Sequence, residues 1–408
     1  MTSPSTVAPA GYDRKAGRRV KKLAVRDIGI IVNGATGRIA STQHLANALG
    51  PIRSEGGLAI GADRIMPRLL LVGRDAKRLA EIASTHGAEH WTTDVDEALA
   101  SPDFTVFFDA AATVQRVSAL NKAIAAGKHI YSEKPVAPSV AEGLVLLQAA
   151  RSRGLKHGAV EDKIFLPGLQ KLGALAKQGF FGRVTGFALE FGWWVFDGAA
   201  RPSQRPSWNY KRETGGGLTS DMYPHWRYII EGMLGRICRV TTAATTAVPQ
   251  RFDEHGKRYR ADADDTSITL VELENGVVGT IKCSWATRVY RDDLLTLQID
   301  GSGGSAVAGL HRCWMQSASE TPAIRHINPS VDIGENYRAG WKEAPGSAPY
   351  VNPYRIGWEH FLRHITTGAP LTSDLSAGLR DVQLAEACYR SVAEKKWIEL
   401  NGIADEPH

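Results

Sequence analysis

Ile28-Gly29-Ile30-Ile31-Val32-Asn33-Gly34-Ala35-Thr36-Gly37-Arg38 is the stretch that decides the fold. Its first five residues form a continuous apolar run, the pattern of a strand buried on both faces. A glycine turn follows and opens a helix that the pattern carries from 37 to about 49. Glycines in such a turn let the backbone approach phosphates, whose charge suits a helix N-terminus. The turn is a shortened G-x-x-G with Asn33 before it, lacking the first glycine of G-x-G-x-x-G. Asn33, Gly34, Ala35, Thr36, Gly37 and Arg38 are therefore candidates for holding a dinucleotide pyrophosphate.

Outward from this turn the chain keeps one rhythm. Strands are expected at 69–72, 105–108 and 129–131, each followed by a helix, at 76–86, 117–126 and 140–153. Strands alternating with helices of this length imply βαβ units and a doubly wound parallel sheet. One stretch, 50–68, is far longer than an ordinary helix-to-strand connection and reads as an inserted surface loop. Beyond about residue 180, β-rich runs follow closely on one another at 184–191, 239–245, 267–274, 277–284 and 294–299. Asn275-Gly276 between two of them signals a tight hairpin. Residues 319–350 read as a long loop, and 353–366 and 376–395 as closing helices. The fold class is α/β: an N-terminal Rossmann doubly wound parallel sheet, then an α+β domain with a large, mainly antiparallel open sheet. The expected divisions are a basic flexible tail (1–26), a dinucleotide-binding domain (27–160) and a substrate-binding and oligomerisation domain (161–400).

Composition excludes several classes. The chain has 408 residues, 43% hydrophobic and 23% charged, with no apolar run long enough to span a membrane. Its net charge of +6 resides in the first 26 residues, where Arg14, Lys15, Arg18, Arg19, Lys21, Lys22 and Arg26 stand against Asp13. The rest is formally neutral, so neither a nucleic-acid nor a membrane partner is expected. Arg18-Arg19 is not followed by the apolar segment an export signal needs, and a cytoplasmic location is expected. The four cysteines lie far apart, which suits neither a metal site nor a disulfide framework. No metal is expected.

The second strand ends in Gly73-Arg74-Asp75. Arg74 suits the 2′-phosphate of NADP and Asp75 the ribose hydroxyls of NAD, so the cofactor is read as NAD or NADP with a lean to NADP. Ala111 and Ala112, after Asp109-Ala110, end a strand with small residues that let a nicotinamide ribose lie close.

Two further segments carry the chemistry. Ser132-Glu133-Lys134-Pro135 ends a late Rossmann strand at the crevice where dinucleotides bind. Gly215-Gly216-Gly217 leads into Asp221-Met222-Tyr223-Pro224-His225. The i,i+4 spacing puts Asp221 and His225 on one helix face, where a carboxylate and an imidazole can serve proton transfer. With these motifs the chain, from about Asp27 to Leu400, resembles the Gfo/Idh/MocA oxidoreductases. The resemblance implies that Glu133 and Lys134 lie at the cofactor, with Lys134 beside the nicotinamide and the reacting carbon. It also implies that Pro135 is cis, and that Lys134, Asp221 and His225 are catalytic. Tyr223 and Tyr228 replace residues usual in that family, and Pro224 is expected to delay or bend the helix at His225. Lys163, Trp194 and Tyr210 join Lys134, Asp221 and His225 as substrate-binding candidates. Trp193, Trp208, Tyr223 and Trp226 lie close in sequence to the same cleft.

The implied activity is hydride transfer between a nicotinamide and a secondary alcohol or ketone of a sugar, glycoside or cyclitol. In that scheme His225 takes the hydroxyl proton, Lys134 stabilises the oxygen, and Asp221 orients or charge-tunes His225 and binds a neighbouring hydroxyl. Two rivals share the fold: an NAD-dependent glycosidase acting by transient oxidation, and a non-enzymatic nucleotide-binding regulator, against which Lys134 and His225 argue. The partner is a small carbohydrate or cyclitol, and pairing of the open sheets predicts a homodimer or homotetramer.

Overall fold

The apolar run from Ile28 lies at the centre of a seven-stranded sheet in the computed structural model, which describes residues 24–61, 63–194, 205–323, 336–346 and 349–403. Its strands are β1 (Ala24–Asn33), β2 (Leu58–Ile60), β3 (Asp63–Val72), β4 (His90–Thr92), β5 (Phe104–Asp109), β6 (His129–Ser132) and β7 (His157–Ala159). They run in the order β2-β3-β1-β5-β6-β7, with β4 beside β3, and only the β2–β3 pair is antiparallel. Helices α1 (Ile39–Leu49), α2 (Ala76–His86), α3 (Val95–Ala100), α4 (Thr113–Ala125) and α5 (Val140–Ser152) cover its faces. Ile30, Ile31, Val32 and Val106, Phe107, Phe108 are accordingly sealed from solvent, which is why these strands read as unbroken apolar runs. The strand order reverses between β1 and β5, so a crevice opens where both end, at Asn33 and Asp109.

Residues 50–68 are not the surface loop the sequence suggested. Helix α1 is wound with i→i+5 bonds, Gly50 N–H reaching the Leu45 carbonyl, and continues into one short helical turn, Gly50–Ser54. Then β2 folds back on the first half of β3, which spans ten residues rather than four. Pro67, with no ladder donor, and the flanking Arg64 and Arg68 hid that strand from a hydrophobicity reading. Strand β1 also begins at Ala24, inside the expected tail; residues 1–23 lie outside the described residues.

The second half opens with α6 (Pro167–Lys177), β8 (Val184–Gly192), α7 (Leu218–Leu234) and β9 (Ile237–Thr245). A small separate hairpin, β10 (Gln250–Phe252) and β11 (Arg258–Arg260), precedes β12 (Thr266–Leu273), β13 (Val278–Ser284), β14 (Leu295–Gly301), β15 (Gly304–Ala308) and β16 (Cys313–Ser317). The chain closes with β17 (Lys342–Glu343), α8 (Pro353–Thr367), α9 (Leu375–Glu394) and β18 (Ile398–Glu399). Nine of these strands form one sheet, β17-β16-β15-β14-β8-β13-β12-β9-β18, antiparallel except between β8 and β13. Residues 324–335 and 347–348 of the expected long loop lie outside the described residues, and β17 falls within it.

The Asn275-Gly276 hairpin forms, but with a longer loop than a two-residue turn. Leu273 N–H meets the Val277 carbonyl, and Gly276 alone takes positive φ. That is a three-residue loop closed by a bulge. Alternation along β12 sends Ser267, Thr269 and Val271 inward and leaves Ile268 and Leu270 on an exposed face. Leu169, Leu172, Ile229, Ile230 and Leu384, from α6, α7 and α9, cover the inner face. Helix α8 returns to the first sheet, where Trp358, Phe361 and Leu362 complete the core over Phe108 and Tyr131.

Candidate active site

The turn after β1 is held open by backbone geometry. Gly34 has φ +77° and lies so close to the β5 exit that a Cβ would stand 2.8 Å from Ala111 N. Asn33 fixes the turn by donating to Asp109 Oδ1 at 2.7 Å. The other Asp109 oxygen accepts from Arg116 Nε at 2.8 Å, while Arg116 Nη2 donates to the Ala111 carbonyl. Arg116 thus shapes the Ala110–Ala112 segment, a role the small residues alone did not announce.

Helix capping separates two classes of helix start. Asp75, Asp94 and Ser139 cap α2, α3 and α5 with side-chain acceptors. Helices α1 and α4, which begin at the crevice, have neither a side-chain cap nor an acidic residue in the first turn. Their uncapped starts and positive dipole ends suit the phosphates of a dinucleotide, so Gly34–Arg38 and Ala111–Ala112 fit such a group. Gly73 packs against the Thr36 side chain, Arg74 is exposed at the rim, and Asp75 is committed to Arg78 N–H at 3.0 Å. Glu133, in turn, faces inward: it accepts from His44 Nε2 at 2.8 Å and from the Lys134 amide at 3.1 Å. Trp358 Nε1 donates to His44 Nδ1, so the imidazole proton is on Nε2 and the chain Trp358–His44–Glu133 anchors the backbone of Lys134.

Across the crevice stands α7. Its start is capped from a distant segment, since Thr219 N–H and hydroxyl both reach Asp264 Oδ2; Gly217 is required there because a Cβ would lie 2.5 Å from Asp264 Oδ1. The helix begins before Pro224, not after it. Pro224 has no N–H for the Ser220 carbonyl, and the adjacent Asp221 carbonyl accepts Lys134 Nζ at 2.7 Å. Lys134 Nζ also meets Asp221 Oδ1 at 2.7 Å, while Arg205 pairs with Oδ2 at 2.9 Å. Burial works to raise the Asp221 carboxyl, but Arg205 and Lys134 outweigh it and hold the group well below the usual range. The Lys134–Pro135 peptide is cis.

His225, only 5% exposed, is held by Tyr228: Nδ1 lies 2.9 Å from the hydroxyl and 3.6 Å from Asp162 Oδ1. Burial, then the Lys134 and Lys163 charges, push the imidazole well below its ordinary pKa, against Asp162 and Asp221. It is neutral at pH 7, as a proton acceptor must be. The orienting bond thus comes from Tyr228; Asp221, expected to orient or charge-tune His225, spends its hydrogen bonds on Lys134 and acts on the imidazole through its charge.

Family models match both halves: an oxidoreductase-family NAD-binding Rossmann fold over residues 29–159, and a GFO/IDH/MocA C-terminal domain over 169–307. The chain belongs to the Gfo/Idh/MocA oxidoreductases. Among relatives of this Gfo/Idh/MocA chain, D-xylose dehydrogenase of Paenarthrobacter nicotinovorans is 41% identical over 381 residues, covering 92% of this chain and 98% of the relative. Levoglucosan dehydrogenase of Pseudarthrobacter phenanthrenivorans is 23% identical over 93% of this chain and 99% of the relative. A solved levoglucosan dehydrogenase with NADH and L-sorbose shares the fold, with TM-score 0.76 and 21% identity over 92% of this chain and all of that one.

The remaining Gfo/Idh/MocA candidates divide. Lys163 is half-buried and paired with Asp162. Trp194 lies at the surface under Arg288, 3.6 Å from the guanidinium carbon to the ring centre. Tyr210 is fully buried between Arg251 and Trp285 and has no surface to offer a ligand. Tyr223 and Trp226 are likewise core. Asp162, Arg205 and Tyr228 were not singled out as site residues from sequence. Asp162 stood beside the chosen Lys163, and Tyr228 stood out only as a departure from the family's pattern.

Proposed function

We propose that this chain is an NAD(P)-dependent dehydrogenase of a sugar, interconverting a ring alcohol and the corresponding carbonyl, with an aldose such as D-xylose as the first substrate to try. The convergence of Lys134, Asp221 and His225 at the crevice carries the reading, and the D-xylose dehydrogenase relative supports the substrate class. A bound nicotinamide supplies the hydride acceptor or donor. The chain's own residues handle the oxygen and its proton. His225 Nε2, the ring nitrogen left over by Tyr228, takes the hydroxyl proton as carbon–hydrogen cleavage builds charge on oxygen. Of the three protons on Lys134 Nζ, two are committed to Asp221, and the third is directed at that oxygen. Asp221 holds Lys134 in place.

Arg74, exposed at the end of β3 beside an Asp75 already used as a cap, supports a preference for NADP. The exposed Ile268, Leu270 and Val278 on the outer sheet face support pairing of two copies there. Four unpaired cysteines suit a reducing cytoplasm.

The test is absorbance at 340 nm with NAD+ and NADP+ against D-xylose, other aldoses, levoglucosan and inositols. Formation of reduced cofactor with a sugar is expected. Turnover by none of them, with a correctly folded protein, would sink the reading. The ratio of kcat/KM for the two cofactors, before and after Arg74→Ala, decides the cofactor, and light scattering decides the assembly.

A further inference from the structure

The proton inventory around Tyr228 determines more than its position. A tyrosine hydroxyl has one hydrogen to give and two lone pairs to fill. Three groups surround this one. The Lys163 amide, which can only donate, lies 2.8 Å away. Asp162 Oδ1 lies 3.4 Å away and His225 Nδ1 2.9 Å away. Burial works to raise the Asp162 carboxyl, but Lys163, by its charge and its hydrogen bond, together with Lys134 outweighs it and holds the group well below the usual range. Asp162 is therefore ionised and can only accept. One arrangement satisfies every partner: Tyr228 donates to Asp162, and its oxygen accepts from the Lys163 amide and from a proton on His225 Nδ1. The reverse, with Tyr228 donating to Nδ1, withdraws one donor from a buried carboxylate that Lys163 and Tyr354 also serve, and places the imidazole hydrogen on Nε2, where a lone pair is needed.

We propose that Asp162 and Tyr228 are positioning residues that set His225 in the Nδ1–H tautomer, aim its bare Nε2 at the substrate hydroxyl, and support the imidazolium formed when that proton arrives. The inference rests on His225 acting as the base. When Nε2 gains its proton, the other proton stays on Nδ1, directed at the Tyr228 oxygen, whose own hydrogen points at Asp162. No proton leaves the chain of three, and the carboxylate, 3.6 Å from Nδ1, faces the new charge. Asp162 cannot swing away, because its second oxygen is tied to Lys163 Nζ. The other charges facing His225 are Lys134, from the turn after β6, Lys163, after β7, and Asp221, on its own helix. The two lysines oppose imidazolium formation, which leaves Asp162 and Asp221 as the balancing charges.

Two readouts test this in the full-length protein. In ligand-free protein labelled with 15N-histidine, long-range 1H–15N correlation should find His225, assigned by its loss in His225→Gln, protonated at Nδ1 and bare at Nε2. In Tyr228→Phe, which keeps the ring, the tautomers should mix and kcat with D-xylose should fall about 10–10²-fold, with KM changed less than about threefold. Asp162→Asn should lower kcat similarly and move the acid limb of kcat/KM to lower pH, since it removes a charge that favours the imidazolium. An Nε2–H tautomer in the wild type overturns the relay. So does a Tyr228→Phe enzyme with normal kcat and pH profile when His225→Ala is inactive. If His225→Ala turns over normally, the base assignment fails instead, and the tautomer in the spectrum still decides whether the Asp162–Tyr228 link exists.

Discussion

Helix α7 carries two charged groups on different faces, and they are built on opposite principles. Asp221, His225 and Tyr228 share the face toward the crevice, where Lys134, Arg205, Asp162 and Lys163 join them. On the other side Arg227 gives Nε to Asp381, Nη2 to Glu161 and Nη1 to Glu231, while Arg380 pairs with Glu231. The adjacent residues Glu161 and Asp162 feed one group each. In the sealed group every branch of Arg227 is spent on a carboxylate. The crevice group leaves a proton on Lys134 and a lone pair on His225 uncommitted. The spent arginine fixes the helix; the donor and acceptor left open in the crevice are what a substrate can use.

That contrast yields expectations of decreasing size. Arg227→Ala strands buried carboxylates and should cost about 3–5 kcal/mol in urea unfolding; a loss below about 1 kcal/mol would mean the sealed group is not structural. Lys134→Ala should reduce kcat by about 10²–10³ with little change in unfolding midpoint. An equal loss of stability there would erase the distinction between the two groups.

The groups should also differ in the sign of their pH dependence. Burial first, with Asp381 adding and Arg227 opposing, pushes Glu161 up to about 8. Its stabilisation is complete below the unfolded carboxylate pKa and is lost as pH rises toward that value, at up to about 1.4 kcal/mol per unit. Asp221 and Asp162 are shifted down, so their contribution is complete above the ordinary aspartate pKa and is lost in acid. Urea midpoints of Glu161→Gln should therefore fall less steeply than wild type between pH 6 and 8, and a parallel decline would refute the assignment. At the smallest scale, Asp75→Ala removes a committed helix cap and should cost about 0.5–2 kcal/mol. A cofactor KM raised more than about threefold in that variant would show that Asp75 also serves the ribose.

How much of this was legible in the sequence follows from how local each cause is. Ile28–Val32 announces its strand because burial on both faces leaves no polar positions, and the Glu133-Lys134-Pro135 turn lies where a parallel strand must end. Strand β3 was only partly legible, because Pro67 and its arginines carry no apolar signature although their backbone pairs with β1 residue by residue. The bond between Tyr228 and His225 spans one helical turn, but its purpose depends on Asp162, 66 residues away in sequence. Asp221 was legible only in part, for the same reason: its charge acts on His225, but its hydrogen bonds do not. Helical spacing placed it beside His225, while the lysine that takes its hydrogen bonds comes from the other half of the chain.

The placement of α8 bears on how the polypeptide is made. Trp358 closes the core over Phe108 and hydrogen-bonds to His44, 314 positions earlier. A ribosome that has released the entire nucleotide-binding half has thus still not delivered the aromatic lid its interior needs. Nascent chains arrested near residue 340 should be cut by protease within that half, and chains arrested well past 362 should resist.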